Sequence, residues 1–176
     1  MNWPNRLSIL RVCCIPFIVL FLSVSVLWGR WTAAALFALA SFTDFLDGYL
    51  ARKNNWITVF GKFIDPVADK LLVISTLIML SWLNLIPAWM VILILARELS
   101  VDGLRMVAIS NGQVIAAGPL GKIKTASQMV MILLLLILNR AVFSFPVGIV
   151  TGAWVCLITL WSGADYFIRN RSLLRQ

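Results

Sequence analysis

Four aspartates, Asp44, Asp47, Asp65 and Asp69, fall within one short stretch of a chain whose only other acids are Glu98, Asp102 and Asp165. The stretch reads Asp44-x-x-Asp47-Gly48-x-x-Ala51-Arg52, then eight residues, then Gly61-x-x-x-Asp65-x-x-x-Asp69. An ionised carboxylate at membrane depth costs roughly 2.5–3.5 kcal/mol or more unless something pairs with it. The natural partner for clustered carboxylates is a hard divalent cation. The chain has no histidine, so the donors are oxygens alone, which suits Mg2+ or Mn2+ better than zinc or copper. Four carboxylates exceed what one Mg2+ takes, because that ion keeps waters and substrate oxygens. Either two ions bind or one carboxylate stays free as a base, and we expect two ions. Plain helix-end salt bridges to Lys70 and Arg52 are the alternative use of these acids.

The neighbours of the acids suggest what the metal would hold. Gly48, Ala51 and Gly61 remove side chains beside the carboxylates, so backbone and substrate can come close, although small residues also serve ordinary helix packing. Arg52 carries a planar fork suited to phosphate oxygens; snorkelling to the membrane boundary is its other use. A second polar group follows, with Arg97, Val101 and Arg105 on one face and Glu98 and Asp102 on another. Arg97 and Glu98 lie too deep to be helix-end charges, and Asp102 is spaced to pair with Arg105. Mutual neutralisation inside a bundle is the plainer reading of this group. With Lys122 and Lys124 of Gly121-Lys122-Ile123-Lys124-Thr125, Arg97 and Arg105 would form a cationic pocket for a phosphate-bearing acceptor. Thr125 and Gln128 have capping-box spacing, which would start a helix there.

These groups need long helices to carry them. The chain has 176 residues, 61% of them hydrophobic, and a mean hydropathy of +0.96, far above the roughly 45–50% apolar content of soluble domains. Apolar runs long enough to cross a hydrocarbon core of about 30 Å lie at approximately 8–28, 32–51, 64–82, 87–107, 125–143 and 146–168. The fold expected is therefore all-α, an integral membrane bundle of six transmembrane helices forming one domain over 1–176, with Met1–Arg6 as a short interfacial segment. Asn84 with Pro87, and Asn139-Arg140 with Pro146, mark tight connections. The first 28 residues imitate a signal peptide, but the run from Val12 to Trp28 is long for one, and an uncleaved first span is expected.

Of the fifteen Lys and Arg, only Arg30 and Arg140 would face outward if the N-terminus is inside. The positive-inside bias therefore puts both termini in the cytoplasm. Trp28, Trp31, Trp82 and Trp89 near the outer ends fit an interfacial aromatic belt. Asp44 and Asp47 are three apart, Asp65 and Asp69 four apart, so each pair shares a helical face. If the second and third spans are antiparallel neighbours, these faces meet near the inner surface, with Asp44 about 12 Å from Arg52 along the helix. The net charge of +8 suits anionic headgroups or phosphorylated substrates. A nucleic-acid partner would need a soluble basic surface that is missing. Cys13, Cys14 and Cys156 match no zinc spacing and are expected as buried apolar residues.

The pattern from Asp44 to Asp69 resembles, at all eight of its fixed positions, the signature of the CDP-alcohol phosphotransferases. Pro4-Asn5-Arg6-Leu7-Ser8 with Arg11, then Arg97-Glu98, Gly103-Leu104-Arg105, Ala116-Ala117, Gly121 to Thr125 and Gln128, are similar to the phosphatidylglycerophosphate synthases of that family; Ser8 stands where threonine is frequent in them. The resemblance implies an enzyme of the bacterial cytoplasmic membrane, with its site toward the cytosol, that joins CDP-diacylglycerol to sn-glycerol 3-phosphate and releases CMP. It implies Asp44, Asp47 and Asp65 as metal ligands, and Asp69 as the base that also touches metal. It places Gly48, Ala51, Arg52 and Gly61 along the nucleotide and diphosphate pocket. A six-helix homodimer among membrane lipids is implied as well.

Other acceptors known in the family (inositol phosphate, phosphatidylglycerol, serine) stay open on the residues alone, though the basic group argues against serine. A divalent-cation transporter is the reading from another class. It would place its carboxylates near the midplane and gives Arg52, Arg97 and Arg105 no role.

Overall fold

The computed structural model describes residues 3–24, 27–54, 59–112, 115, 118–138 and 147–171; the side chains of 3–6, 27, 44–54 and 59–63 are outside the description. The described residues form six helices and no strand: α1 (Trp3–Ser23), α2 (Leu27–Asn54), α3 (Val59–Trp82), α4 (Ala88–Ser110), α5 (Pro119–Ile137) and α6 (Val147–Arg169).

On several helices the buried stripe changes character along its length. On α5 it begins with Lys124 and Gln128 and continues as Met131, Ile132, Leu135 and Leu136. On α1 it begins with Ser8 and Arg11 and continues as Ile18 and Leu22. On α6 the order reverses, from Gly148, Gly152 and Val155 to Ser162 and Tyr166. Because successive helices run in opposite directions, the polar parts collect at one end of the bundle and an apolar core fills the other. The outward faces are apolar too: Phe17, Leu20, Leu39, Ile92, Val130, Leu157 and Trp161 are all exposed. An exterior as greasy as the core suits a hydrocarbon surrounding. By length and composition α5 and α6 qualify as membrane-crossing helices, while the apolar part of α1, Leu7–Ser23, is shorter.

Small residues let the helices approach. A Cβ on Gly148 would collide with the carbonyl oxygen of Leu85, and one on Gly152 would meet Met90 Sδ at 2.6 Å. These two glycines, four apart, seat α6 against the start of α4 in the manner of small-xxx-small packing. The expected turn before α4 is present: Asn84 has φ 56° and Pro87 caps the helix, as asparagine tolerates the left-handed region and proline suits a helix start. At the far end of α4, Gly112 at φ 71° closes the helix.

Several boundaries differ from those read off hydropathy. The first helix ends at Ser23, and Trp28 and Trp31 belong to α2; α1 starts at Trp3, so the expected interfacial segment is continuous with the first helix where it is described. Helix α5 begins at Pro119, with Gly118 as N-cap and no side-chain cap, so Thr125 and Gln128 form no capping box; Thr125 Oγ1 donates back to Gly121 O at 3.1 Å within the helix. Hydropathy marks the greasy part of a helix, whereas backbone hydrogen bonding continues through charged residues. Cys13 is exposed and Cys14 half-buried; of the three cysteines only Cys156 is buried. An apolar residue gains little from the core when the exterior is itself apolar. Lastly, α2 and α3 pack only lightly on each other, because α1 packs extensively against both.

Candidate functional site

At the polar end, α3, α4, α5 and α6 enclose a cavity of about 240 Å3. Asp69 and Lys70 reach it from α3, Arg97, Glu98, Asp102 and Arg105 from α4, Lys124 and Gln128 from α5, and Ser162, Asp165 and Tyr166 from α6. The helical repeat accounts for the α4 set: Arg97, Val101 and Arg105 recur every four residues, and all three line the cavity.

The lining is charge-balanced, with Lys70, Arg97, Arg105 and Lys124 against Asp69, Glu98, Asp102 and Asp165. Most of these charges meet across helices. Lys70 of α3 pairs with Asp102 of α4, and Lys124 of α5 with Glu98 of α4. Glu98 Oε1 also accepts from Arg97 Nη1 at 3.3 Å. Arg97 Nη2 donates to Ser162 Oγ of α6 at 2.7 Å, and Gly163 leaves room for the arginine stem, whose Cγ would lie 3.1 Å from an added Cβ. Arg105 Nε donates to the Tyr166 hydroxyl at 3.2 Å. Asp165 turns to Arg169 at 2.8 Å, one turn along its own helix. The spacing-based pairing of Asp102 with Arg105 is thus not the one formed, since Lys70 reaches Asp102 from the neighbouring helix. Lys124 is only 5% exposed, and a charge that deep is tolerable because Glu98 meets it.

Beside the cavity, Ser8 of α1 donates its hydroxyl to Asp65 Oδ1 of α3. Arg11, three residues further along the same face, is 1% exposed. Helix α1 therefore closes one side of the acidic region. Asp65 and Asp69, a turn apart on α3 and both half-buried, offer oxygen donors only, a chemistry that fits a hard cation. Among the described residues no group of three or more acidic, cysteine or histidine side chains gathers. The side chains of Asp44, Asp47, Gly48, Ala51, Arg52 and Gly61 lie outside the described residues, although their backbones belong to α2 and α3.

Of the four basic residues expected together, Arg97, Arg105 and Lys124 share the cavity; Lys122 is exposed and outside the lining. Two residues later along α5 the helix has turned through about 200°, so Lys122 and Lys124 point to different sides. The contribution of α6 was missed from sequence. Its signal was present: Ser162-Gly163-x-Asp165-Tyr166 is a polar patch at helical spacing in an otherwise apolar span.

The family described as CDP-alcohol phosphatidyltransferase matches residues 1–161 of the chain. A Bacillus subtilis protein named CDP-diacylglycerol–glycerol-3-phosphate 3-phosphatidyltransferase is 42% identical, covering 99% of this chain and 97% of that protein. Proteins of the same name from Rickettsia bellii, at 38% identity over 94% of this chain and 93% of theirs, and from Escherichia coli, at 36% over 97% and 96%, are similar along nearly their whole lengths.

Proposed function

The chain belongs to the CDP-alcohol phosphatidyltransferase family, and we propose that it is an enzyme transferring the phosphatidyl group of CDP-diacylglycerol to sn-glycerol 3-phosphate. The products are phosphatidylglycerophosphate and CMP. The observation that carries this reading is the cavity itself, where the half-buried carboxylate of Asp69 opens onto the same space as Arg97, Arg105 and Lys124. A proton acceptor and an anion-binding group side by side suit a small alcohol that carries a phosphate. The volume of about 240 Å3 lies below the roughly 300–1,000 Å3 of drug-sized pockets, which favours a small acceptor.

In the proposed reaction the acceptor hydroxyl oxygen attacks the lipid-side phosphorus. The new P–O bond forms as the bond to CMP breaks, and the hydroxyl proton passes to Asp69. With no histidine in the chain, a carboxylate is the suitable base. Arg105, Arg97 and Lys124 hold the acceptor phosphate and so orient the hydroxyl. Gly48, Ala51, Arg52 and Gly61 would line the CDP side. Asp44, Asp47, Asp65 and Asp69 would hold Mg2+ or Mn2+, two ions, whose chemistry is to withdraw charge from the diphosphate and favour departure of CMP. Ser8, bonded to Asp65, keeps that carboxylate oriented.

The enzyme would act as a homodimer of single-domain chains in the bacterial cytoplasmic membrane, each crossing six times with both termini in the cytosol. The apolar exterior and the concentration of basic residues at the cavity end support that placement. The lipid tails would stay in the bilayer while the nucleotide reaches the cytosol.

The test supplies CDP-diacylglycerol and Mn2+ to the purified protein and compares CMP release with glycerol 3-phosphate, inositol phosphate, phosphatidylglycerol and serine. Release should require glycerol 3-phosphate and cease with a chelator. Release with serine alone would overturn the acceptor assignment.

A further inference from the structure

Helix α6 has no part in the reaction just outlined, yet it reaches the cavity through Ser162, Asp165 and Tyr166. Three of the four cavity cations are held by carboxylates: Lys70 by Asp102, and both Lys124 and Arg97 by Glu98. Arg105 is different. Among the described residues it has no carboxylate partner; its Nε donates to the Tyr166 hydroxyl at 3.2 Å, and its guanidinium carbon lies 5.6 Å from the centre of that ring.

A phenol is a neutral acceptor. It fixes one edge of the guanidinium fork without cancelling the charge, and it leaves both Nη groups for an oxyanion. Tyr166 is itself held firmly, being 8% exposed and packed with Val101, Leu104 and Ala108. By contrast, the charge of Lys124 is already offset by Glu98, so it attracts a phosphate less strongly. Among the described residues the cavity cation whose charge no carboxylate offsets is therefore Arg105, and its direction is set from α6.

We infer that Tyr166 is a positioning residue that aims Arg105 as the main anchor for the acceptor phosphate. This rests on the proposed transfer reaction. It adds to that reading a ranking among the cations and a specificity role for α6.

The experiment measures CMP release from CDP-diacylglycerol and Mn2+ at varied glycerol 3-phosphate. Tyr166→Phe keeps the ring and removes the accepting oxygen. Its KM for glycerol 3-phosphate should rise about three- to tenfold, the effect of one lost net hydrogen bond. The KM for CDP-diacylglycerol and kcat should stay unchanged. Arg105→Lys keeps the charge but lacks Nε, so it should raise the same KM, and adding Tyr166→Phe to it should have no further effect. An additive double variant, an equal rise in both KM values, a fall in kcat alone, or no change would each overturn the positioning role. A wild-type protein that releases no CMP with glycerol 3-phosphate would instead defeat the parent reading. Should Tyr166→Phe not fold, the Arg105→Lys variant decides: an unchanged acceptor KM there also overturns the inference.

Discussion

Glu98 meets two cations at once, Lys124 from α5 and Arg97 from its own helix. A buried carboxylate shared in this way lowers the cost of keeping two positive groups in an apolar bundle. It also means that the cavity cations are not equivalent, since the charge of those tied to Glu98 is already partly offset. Asp69 lines the same cavity from α3, and its proposed task is proton removal. Asp69→Asn keeps the shape and loses the basic oxygen, so turnover should fall by about 10²- to 10⁴-fold while binding of CDP-diacylglycerol is largely retained. Parallel measurements of CMP release and nucleotide binding check this, and near-normal turnover would remove Asp69 from the role of base. The four aspartates stood out in the sequence because carboxylates are rare in so greasy a chain. Which cation meets which acid was not legible, because Lys70–Asp102 and Lys124–Glu98 join residues far apart along the chain.

At the scale of helices, tight packing at the apolar end complements the charge pairing at the polar end. Gly148 sits where α6 nearly touches the carbonyl of Leu85, so an added methyl must move backbone. Gly148→Ala should destabilise the protein by about 1–3 kcal/mol, read as a lower unfolding midpoint in detergent. Gly103, in α4, has nothing within 4 Å of an added Cβ. Gly103→Ala should hold or raise the midpoint, since alanine favours a helix by roughly 0.8–1.0 kcal/mol over glycine. Equal losses in the two variants would argue against close approach at Gly148. Six apolar runs announced the six helices of the described residues, and Asn84 with Pro87 announced the turn before α4. The wedging of α1 between α2 and α3 was not announced, since adjacency in sequence does not determine which helices pack.

The whole molecule is apolar outside, apolar at one end of its core and ionic at the other. The proposed orientation puts the ionic end in the cytosol, and it can be probed in a variant lacking the native cysteines. Trp28→Cys, near the start of α2, replaces a side chain that is 81% exposed. It should react with a membrane-impermeant maleimide in intact cells. Arg171→Cys, just past the end of α6, should react only after permeabilisation. The opposite labelling pattern would turn the cavity to the outside, away from any cytosolic phosphorylated alcohol.

Composition and spacing alone determined the class of the protein, the six helices of the described residues, the oxygen-only character of its acidic group and the positions of Arg97, Arg105 and Lys124 as cations without an ordinary surface role. These follow from local facts: apolar length, helical repeat and the cost of isolated charge. Only the tertiary structure decided that Lys122 faces away, that Asp102 belongs to Lys70, that α1 brings Ser8 to Asp65, and that α6 brings Ser162 and Tyr166 to the arginines of α4. Each depends on how helices rotate and neighbour one another, and in an apolar solvent that is set by close packing and by pairing of buried charge rather than by any pattern within a single helix.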